Sequence, residues 1–392
     1  MDLDLTAEQQ LIRDTVREFA RERVAPVAEE LDRESRFPVE LVREMAELGL
    51  LGIPIPEEHG GAGGDTLSYA LAIEELTRID SSVAITVAAH TSLGTMPIYL
   101  FGSDEQKERW LPELASGRRL AAFGLTEPDA GSDAGATRTK AVRDGDEWVV
   151  NGSKAFITNS GTDITSVVTV TARTGTNDDG SAVLSAIMIP SGTPGFTVEP
   201  AYDKLGWHAS DTHGLSFADC RVPADNLLGE QGAGYKQFLK TLDDGRIAIS
   251  ALAVGLAQAC LEASTDYAKT RIAFGRPIGA NQGVSFQIAD LAVMVEAART
   301  LTYKAAWLKD ELHAGRRTVN EVKHAAAVAK LYSTEAAVTA TRIATQIFGG
   351  NGFIEEFPVA RFYRDAKILE IGEGTSEVQR MVIARGLGLP SA

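Results

Sequence analysis

Glu370 to Arg380 reads EIGEGTSEVQR and places one carboxylate, Glu373, between Gly372 and Gly374. Ser376 to Gln379 spells S-x-x-Q, a capping box, so a helix is expected to start there. A carboxylate just ahead of a helix compensates the helix dipole, a contribution of about 0.3–1 kcal/mol. That task needs no glycine on either side. Glycine costs conformational entropy and is kept where geometry or close approach demands it. A carboxylate without bulky neighbours can reach into a pocket and face a flat ligand. Partial desolvation raises its pKa toward neutrality, which suits a general base. Such a base needs an acidic C–H to act on and somewhere for electrons to go.

Four other stretches carry polar groups and glycines at element ends. FGLTEPDAGSDAG (Phe123 to Gly135) has a backbone that a ligand could approach closely, with Thr126, Ser132 and Asp133 as hydrogen-bonding side chains. Taken alone, it reads better as a solvated loop. NGSKAFITN (Asn151 to Asn159) puts Phe156 and Thr158 on one face of a strand, where a ring and a hydroxyl could flank a flat heterocycle. On periodicity alone, a core phenylalanine and an edge threonine is the stronger reading. TRIAFGRPIGANQ (Thr270 to Gln282) carries Arg271 and Arg276 near a turn. Two guanidinium groups there suit a pyrophosphate, and equally suit the end of a helix. QIFGGNGF (Gln346 to Phe353) offers three glycines where backbone could meet phosphate or adenine, and helix termination explains them as well.

These stretches need elements to position them. Residues 1–120 read as helices with short breaks. Thr6 to Gln9 forms a T-x-x-Q capping box, IPEEHGGAGGDT reads as a Gly-rich loop, and Gly117 is a natural stop. Residues 121–232 change pattern. EWVVNGSKAFIT, TSVVTVTAR, AVLSAIMIP, GFTVEP and GLSFADCRVP are short, β-branched or alternating runs punctuated by Gly, Pro, Asn and Asp. They predict an antiparallel β unit, with RTGTNDDGSA as an exposed hairpin loop. Residues 233–392 return to helical periodicity. Leu291, Met294, Val295, Ala298, Leu301 and Ala305 mark one helix face. The Ala-rich run from Glu321 ends on Gly349–Gly350 and allows close helix packing, as in a four-helix bundle. The expected class is a multi-domain α+β chain: a helical domain, an antiparallel β-barrel or sandwich, then a four-helix bundle.

The 392 residues, 44% of them hydrophobic, can bury a large core. A formal charge of −16 with no basic run argues against nucleic acid or an anionic membrane as partner. Two cysteines, Cys220 and Cys260, make no disulfide framework, and no His or Cys spacing suggests a structural metal. No apolar run reads as long enough to span a bilayer. The acidic opening MDLDLTAEQQ has neither a signal-peptide core nor transit-peptide arginines. The expectation is a reducing, cytoplasmic setting. The patterns G-x-G-x-x-G, G-x-x-x-x-G-K-[ST] and G-x-S-x-G are absent, which lowers the odds of a Rossmann site, a P-loop or a hydrolase elbow.

FGLTEPDAGSDAG, NGSKAFITN, YDKLGWHASDTHGLSFADCRVP, TLDDGRIAISALAVGLAQ, RIAFGRPIG, QIFGGNGFIEEFPVARFYRD and EGTSEVQR, in this order and over nearly the whole chain, resemble the acyl-CoA dehydrogenase family. The resemblance implies FAD and an acyl-CoA substrate. It gives Glu373 the role of base, taking the pro-R α-proton while the β-hydrogen leaves as hydride to flavin N5, with a trans-2-enoyl-CoA as product. In the family the thioester oxygen meets the backbone N–H of the catalytic Glu and a ribityl hydroxyl, donors that stabilise a developing enolate. Carried over by motif, Leu125 and Thr126 contact the flavin, and Phe156, Ile157 and Thr158 line the isoalloxazine. Ser132, Asp243 and Arg246 contact the CoA part, and Gly374 borders the substrate. Thr375 and Glu377 lie near the FAD phosphates and ribose. Arg271, Phe274, Gln282, Gln346, Gly349 and Gly350 reach the FAD of a neighbouring subunit, which implies a homo-oligomer, a tetramer in most members. Electron-transfer flavoprotein is the implied electron acceptor, within fatty-acid or branched-chain amino-acid catabolism.

Three positions bear on the chemistry. Phe156 stands where many members have Trp, and Gly372 where many have Tyr, which opens room for a branched acyl group. Isovaleryl-type members carry their base at the position of Gly245, which cannot ionise here, and Asp244 is expected to point elsewhere. TLDDGRIAIS looks most like the short-chain branch. An O2-using oxidase or flavin monooxygenase on the same fold is the second reading. Against it stand the retained Glu373 and the missing extra C-terminal domain of oxidases. A non-catalytic acyl-CoA-binding or scaffold protein is the third.

Overall fold

In a computed structural model that describes residues 4–389, the chain opens with helices. Thr6 starts α1 (Ala7–Phe19) through the expected capping box, its hydroxyl accepting from Gln9 N while the Gln9 side chain accepts from Thr6 N. There follow α2 (Ala28–Glu34), α3 (Val39–Glu47), α4 (Thr66–Thr77), α5 (Ser81–Ala89), α6 (Met96–Phe101) and α7 (Asp104–Ala115). Asp65 caps α4 and Asp80 caps α5. A π-helical turn over His90–Thr95 joins α5 to α6. Gly117, at φ 72°, ends this helical region as its sequence predicts.

The β region holds β1 (Leu120–Gly124), β2 (Lys140–Asp144), β3 (Glu147–Thr158), β4 (Thr165–Thr176), β5 (Ala182–Pro190), β6 (Phe196–Ala201), β7 (Thr212–Pro223) and β8 (Leu227–Leu228). The strand order is β6-β7-β3-β2-β4-β5-β8, with β1 added on β4. β1 runs parallel to β4, so the sheet is mixed and not purely antiparallel. β1 and β2 escape a reading by alternation because each has only five residues. Trp148, Val150, Ile157, Val168, Ile187, Leu215 and Phe217 fill the core of this region.

The C-terminal region contains α8 (Gly234–Thr270), a small hairpin of β9 (Ile272–Ala273) and β10 (Arg276–Pro277), α9 (Gln282–His313), α10 (Val319–Phe348), α11 (Pro358–Ala366) and α12 (Ser376–Gly386). Thr318 and Glu321 form a capping box on α10. Leu291, Val295, Ala298 and Ala305 are buried along the predicted face of α9. The two helical regions share one apolar core, running from Val16 and Leu76 through Leu252 and Val295 to Leu369. Two helical runs, Ser81–Phe101 and Gly234–Thr270, are by length and composition apolar enough to cross a membrane, contrary to the sequence expectation. Thr, Ser and His break the first run to the eye without lowering its average enough. The most apolar 18-residue stretch of each is 83% and 78% buried within the protein, as in core helices.

Candidate active site

The loop between α11 and α12 presents Glu373. Glu373 takes φ 56° and Gly374 φ 86°, two left-handed residues in succession. A Cβ on Gly374 would lie 2.8 Å from the movable Gln379 Nε2, so it is the left-handed backbone that demands glycine there. At Gly372 an added Cβ would meet only Ile368 O at 3.5 Å, an ordinary contact. The two glycines therefore do different things: one shapes the loop, the other leaves space. The helix start also differs from the S-x-x-Q reading. Thr375 is the cap, its Oγ1 accepting from Val378 N at 3.3 Å. Gln379 is one residue too far on to close a box. It turns back instead and donates to Gly374 O at 2.8 Å and Glu373 O at 3.2 Å.

Glu373 Oε2 is shut off from solvent and has no hydrogen-bond partner. It lies against Gly245 of α8, where any Cβ would overlap it. Leu93, carried by the π-helical turn, borders the same spot. Such turns occur often at functional sites. Burial pushes the Glu373 carboxyl up to about 7, against the charges of Arg246 and Lys330, which pull it down. Arg246 donates to Asp243 Oδ1 at 2.7 Å, and its Nε has no partner. Asp244 pairs with Lys309 at 2.8 Å. His90, the other buried group nearby in sequence to Leu93, is occupied. Its Nε2 lies 2.9 Å from Leu114 O and its Nδ1 accepts from Ala121 N at 3.1 Å. Burial holds it down at about 4, so it is a neutral structural imidazole.

The end of β3 forms a wall. Ala155 N donates to Thr126 O at 2.8 Å and Lys154 Nζ to Leu125 O at 3.1 Å, which straps Leu125 and Thr126 onto the strand. A bulge then breaks the pairing with β7 between Lys154 and Ile157. Phe156 takes φ 62° there and is 64% exposed, its ring tilted 36° against that of Tyr202 at 5.0 Å. The bulge, not strand alternation, sets its direction. Ile157 departs from its predicted place, because its side chain is buried in the β core and only its backbone is left to line a ligand. Thr158 is half-buried beside it. Asn159 Nδ2 donates to Thr86 O on α5 at 2.9 Å. Thr86 and Leu93 are seven residues apart on one helical run, about 10 Å of rise. The wall and the carboxylate thus border one region.

The remaining predicted residues divide. Asp243 and Arg246 are buried beside Glu373, an interior pair with little surface for a CoA tail. Ser132 is exposed on the loop after β1, and Glu377 is exposed on the first turn of α12. The Thr375 hydroxyl is engaged in capping. Arg271, Phe274 and Gln282 lie on the hairpin and start of α9, all exposed, with Phe274 98% exposed. Gln346, Gly349 and Gly350 are exposed at the end of α10. Tyr267 stacks on Phe348 at 4.1 Å, so these two groups share one end of the bundle. That end lies far from Glu373. Gly245 and Thr270 are 25 residues apart on α8, about 38 Å, and Lys330 and Gln346 are 16 apart on α10, about 24 Å.

A flavin fits this arrangement. Phe156 projects from the bulged end of β3, the Leu125–Thr126 strap lies next to it, and Arg246 Nε and Ser376 Oγ are buried without partners. Two residues at the site escaped the sequence reading, Lys330 and Gln379 as braces. Lys330 was findable: Ala326, Ala327, Ser333, Thr334 and Ala337 surround it at buried-face spacing, where a lysine is out of place.

The chain matches the N-terminal, middle and C-terminal domain models of acyl-CoA dehydrogenases over residues 6–118, 122–220 and 232–388. It is 52% identical to a Bacillus subtilis protein named as a probable acyl-CoA dehydrogenase, over 99% of this chain and 100% of the other. It superposes on the butyryl-CoA dehydrogenase of Megasphaera elsdenii with a TM-score of 0.93 at 44% identity, covering 99% and 100% of the two chains. A chain in a solved structure of the electron transferring flavoprotein of Acidaminococcus fermentans gives 0.94, also at 44%, covering 99% of each.

Proposed function

We propose that this chain, which belongs to the acyl-CoA dehydrogenase family, oxidises a short-chain acyl-CoA, straight or branched, to its trans-2-enoyl-CoA with Glu373 as base. One observation carries the reading: a carboxyl with a buried, unpartnered oxygen, held against a glycine and raised to about 7. The likeness to a butyryl-CoA dehydrogenase supports the short chain.

Glu373 takes the α-proton onto its carboxylate. A base with a pKa near the working pH combines a useful ionised fraction with enough basicity. The left-handed loop leaves Glu373 N–H without an acceptor among the described residues, so it can donate to the thioester oxygen as charge develops there. Arg246, paired with Asp243 and next to the carboxyl, favours its ionised form. Gly245 and Leu93 border the space in front of the base, and Gly372 widens it. FAD, when bound, supplies the two-electron acceptor for the β-hydride. Leu125, Thr126, Phe156 and Thr158 of one copy would hold it, with Arg271, Phe274, Gln282, Gln346, Gly349 and Gly350 from a neighbouring copy, because those residues lie too far from their own Glu373. A homo-oligomer, a tetramer by family resemblance, follows from this division. Electron-transfer flavoprotein is the proposed acceptor of the electrons.

The deciding experiment mixes purified, FAD-loaded protein with straight and branched acyl-CoAs without oxygen and follows the blue flavin band. Prompt bleaching by short acyl-CoAs is expected. A yellow protein that no acyl-CoA bleaches would refute the proposal.

A further inference from the structure

Lys330 stands beside Glu373 and has no part in the proton transfer. Its side chain, reaching in from α10, is completely shut off from solvent. Among the described residues, its one side-chain hydrogen bond runs from Nζ to Gly374 O at 2.8 Å. An ammonium buried for the sake of a single neutral carbonyl is costly, and an aliphatic side chain would suit this Ala-rich face better. Gln379 reaches the same carbonyl from α12 at 2.8 Å and Glu373 O at 3.2 Å. Donors from two helices thus hold two successive carbonyls in the stretch where Glu373 and Gly374 are left-handed. A non-glycine residue keeps that conformation only when its surroundings impose it.

We infer that Lys330 is a positioning residue for Glu373: with Gln379 it clamps the Gly374 carbonyl and keeps the carboxyl aimed at Gly245. The inference rests on the reading of Glu373 as base. The charged and titratable groups around that carboxyl are Arg246 with Asp243 on α8, Asp244 with Lys309 between α8 and α9, Tyr69 on α4, Glu370 with Lys367 ahead of the loop, and Lys330 itself. Arg246 and Lys330 favour the ionised carboxylate. Removing the Lys330 charge therefore raises the pKa of Glu373, and the acid limb of activity moves to higher pH.

The test compares Lys330→Met and Lys330→Gln in the FAD-loaded full chain, with Glu373→Gln alongside. Lys330→Met removes donor and charge. Its kcat should fall about 10- to 100-fold, with KM changed less than about threefold, and its acid limb should rise by on the order of half a pH unit or more. Lys330→Gln keeps a donor without the charge and should regain most of kcat while keeping the shifted limb. Infrared titration of the carboxyl band that Glu373→Gln abolishes reads the same shift without turnover. A Lys330→Met enzyme within about twofold of the parent in kcat, with an unmoved limb, overturns the inference. If that variant does not fold, Lys330→Gln decides alone, since an unmoved limb there is equally fatal. Near-parental turnover in Glu373→Gln would instead mean that the base reading itself has failed.

Discussion

The β region and the helical bundle each bury one lysine completely, and they treat it in opposite ways. Lys154 on β3 donates to Glu127 Oε1 at 2.7 Å, to Leu125 O and to Thr171 Oγ1, and Glu127 in turn accepts from Arg138 N and Thr139 N. Every donor of that ammonium has a partner. Lys330 on α10 meets one neutral carbonyl, and within reach of its charge lies a carboxyl with an oxygen that nothing satisfies. A saturated network holds a wall rigid. An unsaturated one leaves a group available for chemistry, because a buried polar atom without a partner gains most from a ligand or a proton. On the proposed function, the sheet side positions and the bundle side reacts.

Substitutions can break or sharpen this contrast. Glu373→Gln should retain FAD and acyl-CoA binding and lose turnover by about 10²–10⁴-fold, read by stopped-flow flavin bleaching. In the parent enzyme kcat/KM should climb as pH rises through about 7, since the raised carboxyl must ionise before it can accept a proton. Lys154→Met should act on the other side of the contrast. It strands Glu127 as a buried, unpaired charge, at about 3–5 kcal/mol of stability. Its thermal midpoint should drop by several degrees, while turnover per folded, flavin-loaded molecule changes far less. A Lys154→Met protein of normal stability would remove the distinction between the two regions.

Gly245→Ala should displace the carboxyl that now rests on that glycine and lower kcat by about tenfold or more with little change in KM. Unchanged kcat would show that the loop has slack, contrary to its bracing by Lys330 and Gln379. Gly372→Tyr is expected to have the smallest effect, because nothing in the backbone requires glycine there. It should reduce activity on isobutyryl-CoA several-fold more than on butyryl-CoA, below the roughly 10–200-fold range that one added or missing methylene in a pocket can reach. Equal losses on the two substrates would remove branching from the role of Gly372.

Part of this site could be read along the chain. Glu373, its glycines, the strands at 147–158 and 182–190 and the box at Thr6 follow from residue type and short-range spacing. The strands read best were those with nine or more residues, where alternation has room to show. Periodicity alone favoured a core Phe156, and the structure overturns that, because a bulge turns the ring out of the strand's alternation and leaves it exposed. The cap of α12 slipped by one residue because Thr375 and Ser376 are both good caps, and only the placement of the loop chooses between them.

By itself the sequence singled out Glu373 as the candidate base, marked the starts of α1 and of the long strands, and determined that two helical regions flank a β region. These rest on hydrogen bonds and side-chain periods within a few residues. Tertiary structure decided the left-handed backbone at Glu373 and Phe156, the parallel pairing of β1 with β4, the single core shared by both helical regions, and which buried polar atoms stay unpaired. Each depends on segments far apart in the chain, as Lys330 and Gly374 are, 44 residues from one another. Burial and hydrogen-bond satisfaction are sums over all neighbours of an atom, and no local pattern contains that sum.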